Sequence, residues 1–349
     1  MYMKVTADNS QRVLVTGGSG FIGSHLRNRL VARGMAVTVL DLIEPRSLSP
    51  GERFVVGDVR NSRVVQEAMR GADVVYHLAA AHHDFGIAES TFETVNVDGM
   101  RVVCEAAAAN GVERLLFTST VAVYGQGTPG ASESTSPAPA SPYGRTKLEA
   151  EQVLRAWAAQ STGRVAVVLR PAVVYGPNSF ANMFSLVRQI ERGRFALVGP
   201  GSNVKSIVYV DNLLDTMDFV LERTPAGTVN LFNAVDAPDL TSREIATVLA
   251  CALGRKRIPE VPLGLARLLA LPFDMGTALT GRDLGFSTAR LEKFALQETR
   301  FSGAAVRSLG YEQKVSAEEG LRAMARWYAD HGQQVSDPPR HLPPADVVV

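Results

Sequence analysis

Tyr143-Gly144-Arg145-Thr146-Lys147 sets a phenol and an ammonium four residues apart. On a helix that spacing puts both on one face. A cation beside a phenol stabilises the phenolate and lowers the phenol's pKa from about 10, as a general base working near neutral pH requires. The pattern occurs by chance in many helices, so its meaning depends on its company. Upstream, the apolar run Arg114–Ser119 leads into Thr120 and then Val121-Ala122-Val123-Tyr124-Gly125. A hydroxyl at the end of such a strand can hydrogen-bond a reacting oxygen, and Thr118 and Ser119 compete with Thr120 for that role.

A second constellation lies near the start of the chain. Thr16-Gly17-Gly18-Ser19-Gly20-Phe21-Ile22-Gly23 follows an apolar run and opens a helical pattern. Gly17, Gly20 and Gly23 allow positive φ and let a pyrophosphate approach the backbone N–H groups of a helix N-terminus. Asp41 lies 18 residues beyond Gly23, at the end of the second apolar run, where an acid hydrogen-bonds the ribose hydroxyls of a dinucleotide. A carboxylate there repels a 2′-phosphate, which selects NAD over NADP; Arg46, in the following loop, works against that preference.

These groups need a scaffold, and the chain alternates short apolar runs with helical patterns. Strands are expected at Arg12–Thr16, Ala36–Asp41, Arg53–Val56, Asp73–Leu78, Arg114–Ser119 and Val165–Arg170. Helices are expected at Phe21–Arg33, Ser62–Arg70, Phe92–Asn110 and Pro142–Gln160. Strands apolar throughout and separated by helices imply a parallel sheet covered on both faces, and right-handed crossovers make it doubly wound. Beyond Pro171 the regularity declines, with helical runs at Asn182–Arg192, Val210–Glu222, Ser242–Leu253 and Ala317–His331. The expectation is an α/β Rossmann domain over residues 1–171, with strands also contributed by 204–235. A smaller, mostly helical substrate lobe follows over 172–332, then a mobile tail over 333–349.

Composition narrows the function. The 349 residues carry 36 Lys plus Arg against 35 Asp plus Glu, a net charge of +1. That leaves no basic excess to draw nucleic acid. Two distant cysteines, Cys104 and Cys251, exclude a disulfide framework or thiolate metal cluster and suit a reducing cytosol. The polar N-terminus does not read as a signal peptide. His82-His83-Asp84 invites a metal, but adjacent histidines point apart and no second cluster has ligand spacing, so no metal is expected and a substrate-loop role is the better functional reading. Asp215 and Asp218 read as a solvated helix face.

The motifs together resemble the extended short-chain dehydrogenase/reductase family, in its NAD-dependent epimerase/dehydratase branch. They are the glycine loop, Asp58-Val59, His77-Leu78-Ala79-Ala80, Asn96-Val97, Thr118 to Gly125, Tyr143 to Lys147, and Leu169-Arg170-Pro171-Ala172-Val173-Val174-Tyr175-Gly176-Pro177. The likeness runs from about Arg12 to about Asp330. It implies Thr120, Tyr143 and Lys147 as the catalytic set. It puts Asp58 and Val59 at the adenine, Leu78, Ala79 and Ala80 along the cofactor, and Pro171 near the nicotinamide, with Asn96 supporting the active-site helix. Phe21, Ile22 and Thr118 complete the expected cofactor contacts. In the second half, Asn182 to Ile190, Val198 to Ser206, Tyr209 to Asn212, and Leu279 to Phe294 resemble bacterial epimerases of surface-polysaccharide synthesis. Those enzymes interconvert N-acetylglucosamine and N-acetylgalactosamine on UDP or undecaprenyl diphosphate. By that analogy Asn182, Lys205 and Arg290 meet the substrate diphosphate and His82 borders the substrate. Two departures stand out: Lys205 and Tyr209 replace the Arg and His of many sugar epimerases, and Ala81 stands where close relatives carry an acid.

The resemblance implies a homodimer and a sugar 4-epimerase retaining NAD. The runner-up is a nucleotide-sugar 4-ketoreductase or hydroxysteroid-type dehydrogenase, which keeps the same triad; a non-enzymatic dinucleotide sensor would lack the tyrosine or lysine. A 4,6-dehydratase would carry Asp-Glu where Val121-Ala122 stands. Val261–Gly281 is apolar but broken by Pro262, Arg267, Pro272 and Asp274, too interrupted to span a bilayer. It reads first as a helix covering its own lobe, and second as an interfacial contact toward a polyprenyl-linked sugar.

Overall fold

The computed structural model describes residues 11–82, 87–125, 128–268, 271–272 and 297–334. Seven strands form one sheet: β1 Arg12–Thr16, β2 Ala36–Asp41, β3 Glu52–Val56, β4 Val74–His77, β5 Arg114–Thr118, β6 Val165–Pro171 and β7 Thr228–Ala234. Their order is β3-β2-β1-β4-β5-β6-β7, and every neighbouring pair is parallel. The order reverses between β1 and β4, so the chain leaves their C-terminal ends in opposite directions and opens a binding crevice there. The glycine loop follows β1, and Leu78–Ala80 follows β4.

Helices α1 Phe21–Ala32, α2 Ser62–Met69, α3 Glu89–Phe92, α4 Gly99–Ala109, α5 Pro142–Ala158, α6 Asn182–Glu191, α7 Val210–Arg223 and α8 Ser242–Ala252 follow in order. They are joined by α9 Ala304–Ser308 and α10 Ala317–Asp330. Strand alternation divides the core. Leu14 and Leu115 point into a cluster with Met69, Val103, Leu154 and Trp157, from α2, α4 and α5. Val13, Val15 and Leu116 point the other way, into a cluster with Leu26 and Leu30 of α1 and Leu213 and Met217 of α7. A third cluster gathers α6, α8 and α10 around Tyr175, Phe184, Leu249 and Met324. Two-residue and three-residue strands border it, pairing Ile207–Tyr209 with Val173–Tyr175 and Val204–Lys205 with Leu240–Thr241.

Observed ends differ from the sequence expectation by at most two residues, except in one helix. The run expected as Phe92–Asn110 starts at Glu89 and passes through a π-helical segment, Glu93–Asp98, before α4. The wider turn carries Asn96, 2% exposed. Asp215 and Asp218 are corrected: they do not form a solvated face. Their side chains are 11% and 12% exposed, because α7 lies beside α1 on the same sheet face. Arg29 reaches Asp215 at 2.7 Å and Arg33 reaches Asp218 at 2.8 Å.

Among the described residues no helix is long and apolar enough to cross a membrane. Among the described residues of the stretch expected to cover its own lobe, Ala266 is buried, packing on Val198 and Val261, while Leu265, Leu268 and Leu271 stay exposed.

Candidate active site

The loop after β1 is a backbone cradle. Gly17 takes φ 70°, and its N–H donates to Leu40 O at 2.9 Å. A Cβ on Gly23 would lie 2.3 Å from Gly17 O. Gly23 thus lets α1 press onto the loop's own backbone. Gly20 precedes α1 without any side-chain cap, so the first N–H groups of the helix are left for an anion. Phe21 and Ile22 begin that turn. Asp41, at the end of β2, accepts the Ser19 N–H at 2.9 Å, which holds its carboxylate beside the loop. An uncapped helix start, a glycine cradle and an adjacent carboxylate together fit a dinucleotide diphosphate and its ribose. Leu78, Ala79 and Ala80 lie half-buried across from the loop, and Ala79 N is 2.7 Å from where a Gly17 Cβ would sit. Asp58 is engaged by its neighbour: Arg60 donates to it from backbone N, Nε and Nη2 at 2.8–2.9 Å. Val59 is buried beside α4.

The structure separates the three competing hydroxyls. Ser119 Oγ is spent, donating to Glu151 Oε1 at 2.5 Å. Thr118 Oγ1 is buried, with no hydrogen-bond partner among the described residues. Thr120 is half-buried; its oxygen accepts the Ala122 N–H at 3.2 Å, and its own proton remains for a ligand. Ser141 caps α5 by accepting the Gly144 N–H at 3.1 Å. A Cβ at Gly144 would stand 2.7 Å from Ala122 O, so glycine is what lets the first turn of α5 close onto the turn after Thr120. Tyr143 sits in that first turn.

Lys147 is 2% exposed, its Nζ 4.3 Å from the Phe117 ring centroid. Burial pulls its pKa down to about 7, against the pull of Glu151. His77 stacks on Phe117 at 5.6 Å, and its Nδ1 bonds Thr16 Oγ1 at 2.7 Å. Burial first, and then the Lys147 charge, hold its pKa down at about 3, so it is neutral. Asn96 clamps the site from the π segment. Its amide oxygen accepts Ala81 N–H at 2.8 Å, and its nitrogen donates to Ala81 O at 3.1 Å and Thr146 Oγ1 at 3.0 Å. Thr146 lies directly before Lys147. Pro171, the buried last residue of β6, stands at the same sheet edge. His77, Thr146 and Glu151 were not singled out from the sequence. The spacing Tyr-x-x-x-Lys-x-x-x-Glu would have pointed to Glu151.

The expected substrate residues are not gathered in the same way. His82 is exposed, with Nδ1 3.3 Å from Ala80 O. Asn182 is the exposed first residue of α6. Lys205 Nζ donates to Gln297 O at 2.7 Å. Arg290, His83 and Asp84 lie outside the described residues. Ala81 is fully buried in the apolar cluster with Phe92, where an acid would lose its hydration. Tyr209 packs in the third cluster, 5.6 Å from Tyr175.

The family model of the NAD dependent epimerase/dehydratase family matches residues 13–233. A relative from Escherichia coli O157:H7, N-acetyl-alpha-D-glucosaminyl-diphospho-ditrans,octacis-undecaprenol 4-epimerase, is 33% identical, covering 93% of this chain and 97% of its own length. A Stigmatella aurantiaca protein, 4-hydroxy-2-methyl-3-oxo-4-farnesyl-3,4-dihydroquinoline-1-oxide ketoreductase, is 31% identical over 90% of this chain and 95% of its own. The solved UDP-glucose 4-epimerase of Thermus thermophilus, a complex with NAD, superposes with a TM-score of 0.71 at 26% identity, covering 92% of this chain and all of that one. With the matched span, the doubly wound sheet and the dinucleotide cradle in agreement, this chain belongs to the NAD dependent epimerase/dehydratase family and is an NAD-dependent enzyme.

Proposed function

We propose that the protein is a sugar 4-epimerase acting on a diphosphate-linked hexose or N-acetylhexosamine through a transient 4-keto sugar. The observation that carries this reading is the Tyr143–Lys147 pair on the first turns of α5, closed by Gly144 onto the turn that presents the Thr120 hydroxyl. Charged Lys147 favours the Tyr143 phenolate, which takes the C4 hydroxyl proton. Thr120 donates to the sugar oxygen and holds it in place. Bound NAD supplies the hydride acceptor at C4 and later the hydride donor. Once the planar keto sugar has turned over, Tyr143 returns its proton to the oxygen. Asp41 takes the ribose hydroxyls, and the loop Gly17–Gly23 the diphosphate of the cofactor.

The likeness to the Escherichia coli relative favours a polyprenyl diphosphate carrier for the sugar. The exposed leucines 265, 268 and 271 recur every three residues, 49%, 62% and 49% exposed. The exposed run Arg255-Lys256-Arg257 precedes them. Exposed leucines that follow a basic run in the chain suit the surface of an anionic bilayer. Leu268→Glu with Leu271→Glu should abolish co-sedimentation with anionic liposomes and leave NAD binding intact. Efficient turnover of the free UDP sugar, with no liposome binding by the parent protein, would remove the lipid carrier from the account. The ketoreductase relative supports one second reading, a reductase with the same triad. Denaturing the purified protein and assaying released NAD separates the two: stoichiometric NAD supports the epimerase, and an empty protein needing added reduced cofactor supports the reductase.

A further inference from the structure

The proton transfer proposed for Tyr143 makes no use of a second buried ionisable group one helical turn beyond Lys147. Glu151 is 1% exposed, and its carboxylate is fully engaged. Oε1 accepts the Ser119 hydroxyl at 2.5 Å and Arg170 Nε at 2.8 Å; Oε2 accepts Arg170 Nη2 at 2.6 Å. Arg170 is itself 2% exposed, its guanidinium 4.8 Å from the Tyr124 ring centroid, and Tyr124 donates its hydroxyl to Asn233 Oδ1 at 2.8 Å. Ser119 immediately precedes Thr120, and Arg170 immediately precedes Pro171. One carboxylate therefore ties α5 to the C-terminal ends of β5 and β6, the three places that present Lys147, Thr120 and Pro171.

A buried Arg–Glu pair is a poor route to stability, since apolar side chains of similar volume do as well or better. Its placement points to another use. Lys147 rests on the face of Phe117, and burial works to strip its proton. Among the described residues, the titratable and charged groups around it are Glu151 and Tyr143, one turn to either side on α5, neutral His77 from β4, and Arg170 of β6 behind Glu151. Among these, Glu151 supplies the fixed negative charge and favours the charged lysine. Arg170 pairs with that carboxylate from the far side, at 2.6 Å.

We propose that Glu151 is a positioning residue that keeps Lys147 charged, and that through Ser119 it fixes the strand end carrying Thr120. The inference rests on reading Lys147 as the cation that supports the Tyr143 phenolate.

The test titrates Lys147 directly, by NMR of the NAD-loaded protein carrying ¹³Cε-lysine, with Lys147→Arg assigning the signal. Glu151→Gln keeps the shape and loses the charge. Its Lys147 midpoint should fall by about one pH unit or more, and the alkaline limb of the kcat profile should move down with it. Because Glu151→Gln strands Arg170, a second variant, Glu151→Gln with Arg170→Met, removes both charges together and should still move the midpoint down, by less than Glu151→Gln alone because the more distant Arg170 cation has gone as well. Glu151→Asp should restore most of it. An unmoved Lys147 midpoint in a folded variant, even with reduced kcat, would overturn the inference, because a purely structural role changes rate without changing the titration. Failure of the epimerase reading would show separately, as absence of sugar turnover by the parent protein while the lysine titration still responds to Glu151.

Discussion

The two sides of the candidate site are built on different principles. On the sheet side, Thr120, Tyr143 and Lys147 stand at the ends of long parallel strands or on the helix packed against them. Their supports are buried and bonded within the chain: Asn96 to Ala81 and Thr146, Glu151 to Ser119 and Arg170, His77 to Thr16. On the side expected to meet the substrate, Asn182 is exposed at a helix start and Lys205 belongs to a two-residue strand. A buried, bonded network of this kind suits groups that must be held to fractions of an ångström, as the proposed proton transfer requires. Short strands and exposed side chains tolerate exchange, which suits a region that distinguishes one sugar carrier from another.

That contrast can be broken by substitution. Tyr143→Phe should keep NAD bound yet lose about two to four orders of magnitude in turnover, measured as kcat beside the NAD released on denaturation; a near-normal rate would remove the phenol from the chemistry. Lys147→Met should cost about two orders of magnitude in kcat while raising stability. The sign follows from the lysine's depressed midpoint of about 7. Between that value and the ordinary lysine range the unfolded chain holds a proton that the folded chain lacks, so folding stability rises with pH across the window and the buried charge is costly below it. The melting temperature of the variant should therefore exceed that of the parent at pH 6, with the gap closing toward pH 10. An equal gap at both pH values would contradict the burial argument.

Asn96→Ala leaves the Ala81 N–H and carbonyl unpaired inside the core. It should cost about 1–3 kcal/mol in denaturant unfolding and about tenfold in kcat, with little change in KM. Lys205→Ala should have the smallest effect, a rise in KM of about threefold with kcat unchanged, because the side chain is exchangeable in this account. A loss at Lys205 as large as that at Tyr143 would erase the distinction between the two sides.

Much of the sheet side was legible in the sequence, because its signals are local. Apolar runs separated by helical patterns gave the parallel strands, and the glycine loop announced itself between a strand and a helix. Tyr143 and Lys147 carry their geometry in their spacing. What could not be read depended on tertiary burial. The spacing of Glu151 from Lys147 puts both on one face of α5, but its burial and its partners Ser119 and Arg170 exist only once β5 and β6 close over it, and Asp215 and Asp218 read as solvated until α1 is laid beside α7. Thr118, Ser119 and Thr120 compete in sequence, and the fold separates them by burying the Thr118 hydroxyl, engaging Ser119 with Glu151 and leaving Thr120 half-buried. The π segment around Asn96 has no periodicity that separates it from an ordinary helix. On the substrate side, Lys205 and Tyr209 could be placed only by analogy, since their neighbours come from strands too short to leave a pattern.

The proposed reaction inverts C4 of a sugar by removing a hydride and returning the same one. The direct measurement incubates the purified protein, without added reduced cofactor, with a diphosphate-linked N-acetylglucosamine deuterated at C4, on both the UDP and the polyprenyl carrier. The product is then read by NMR and mass spectrometry. The expected product is the C4 epimer with deuterium retained at C4. Formation of a keto or reduced product only when reduced cofactor is added, or an epimer that has lost its deuterium to solvent, would contradict it.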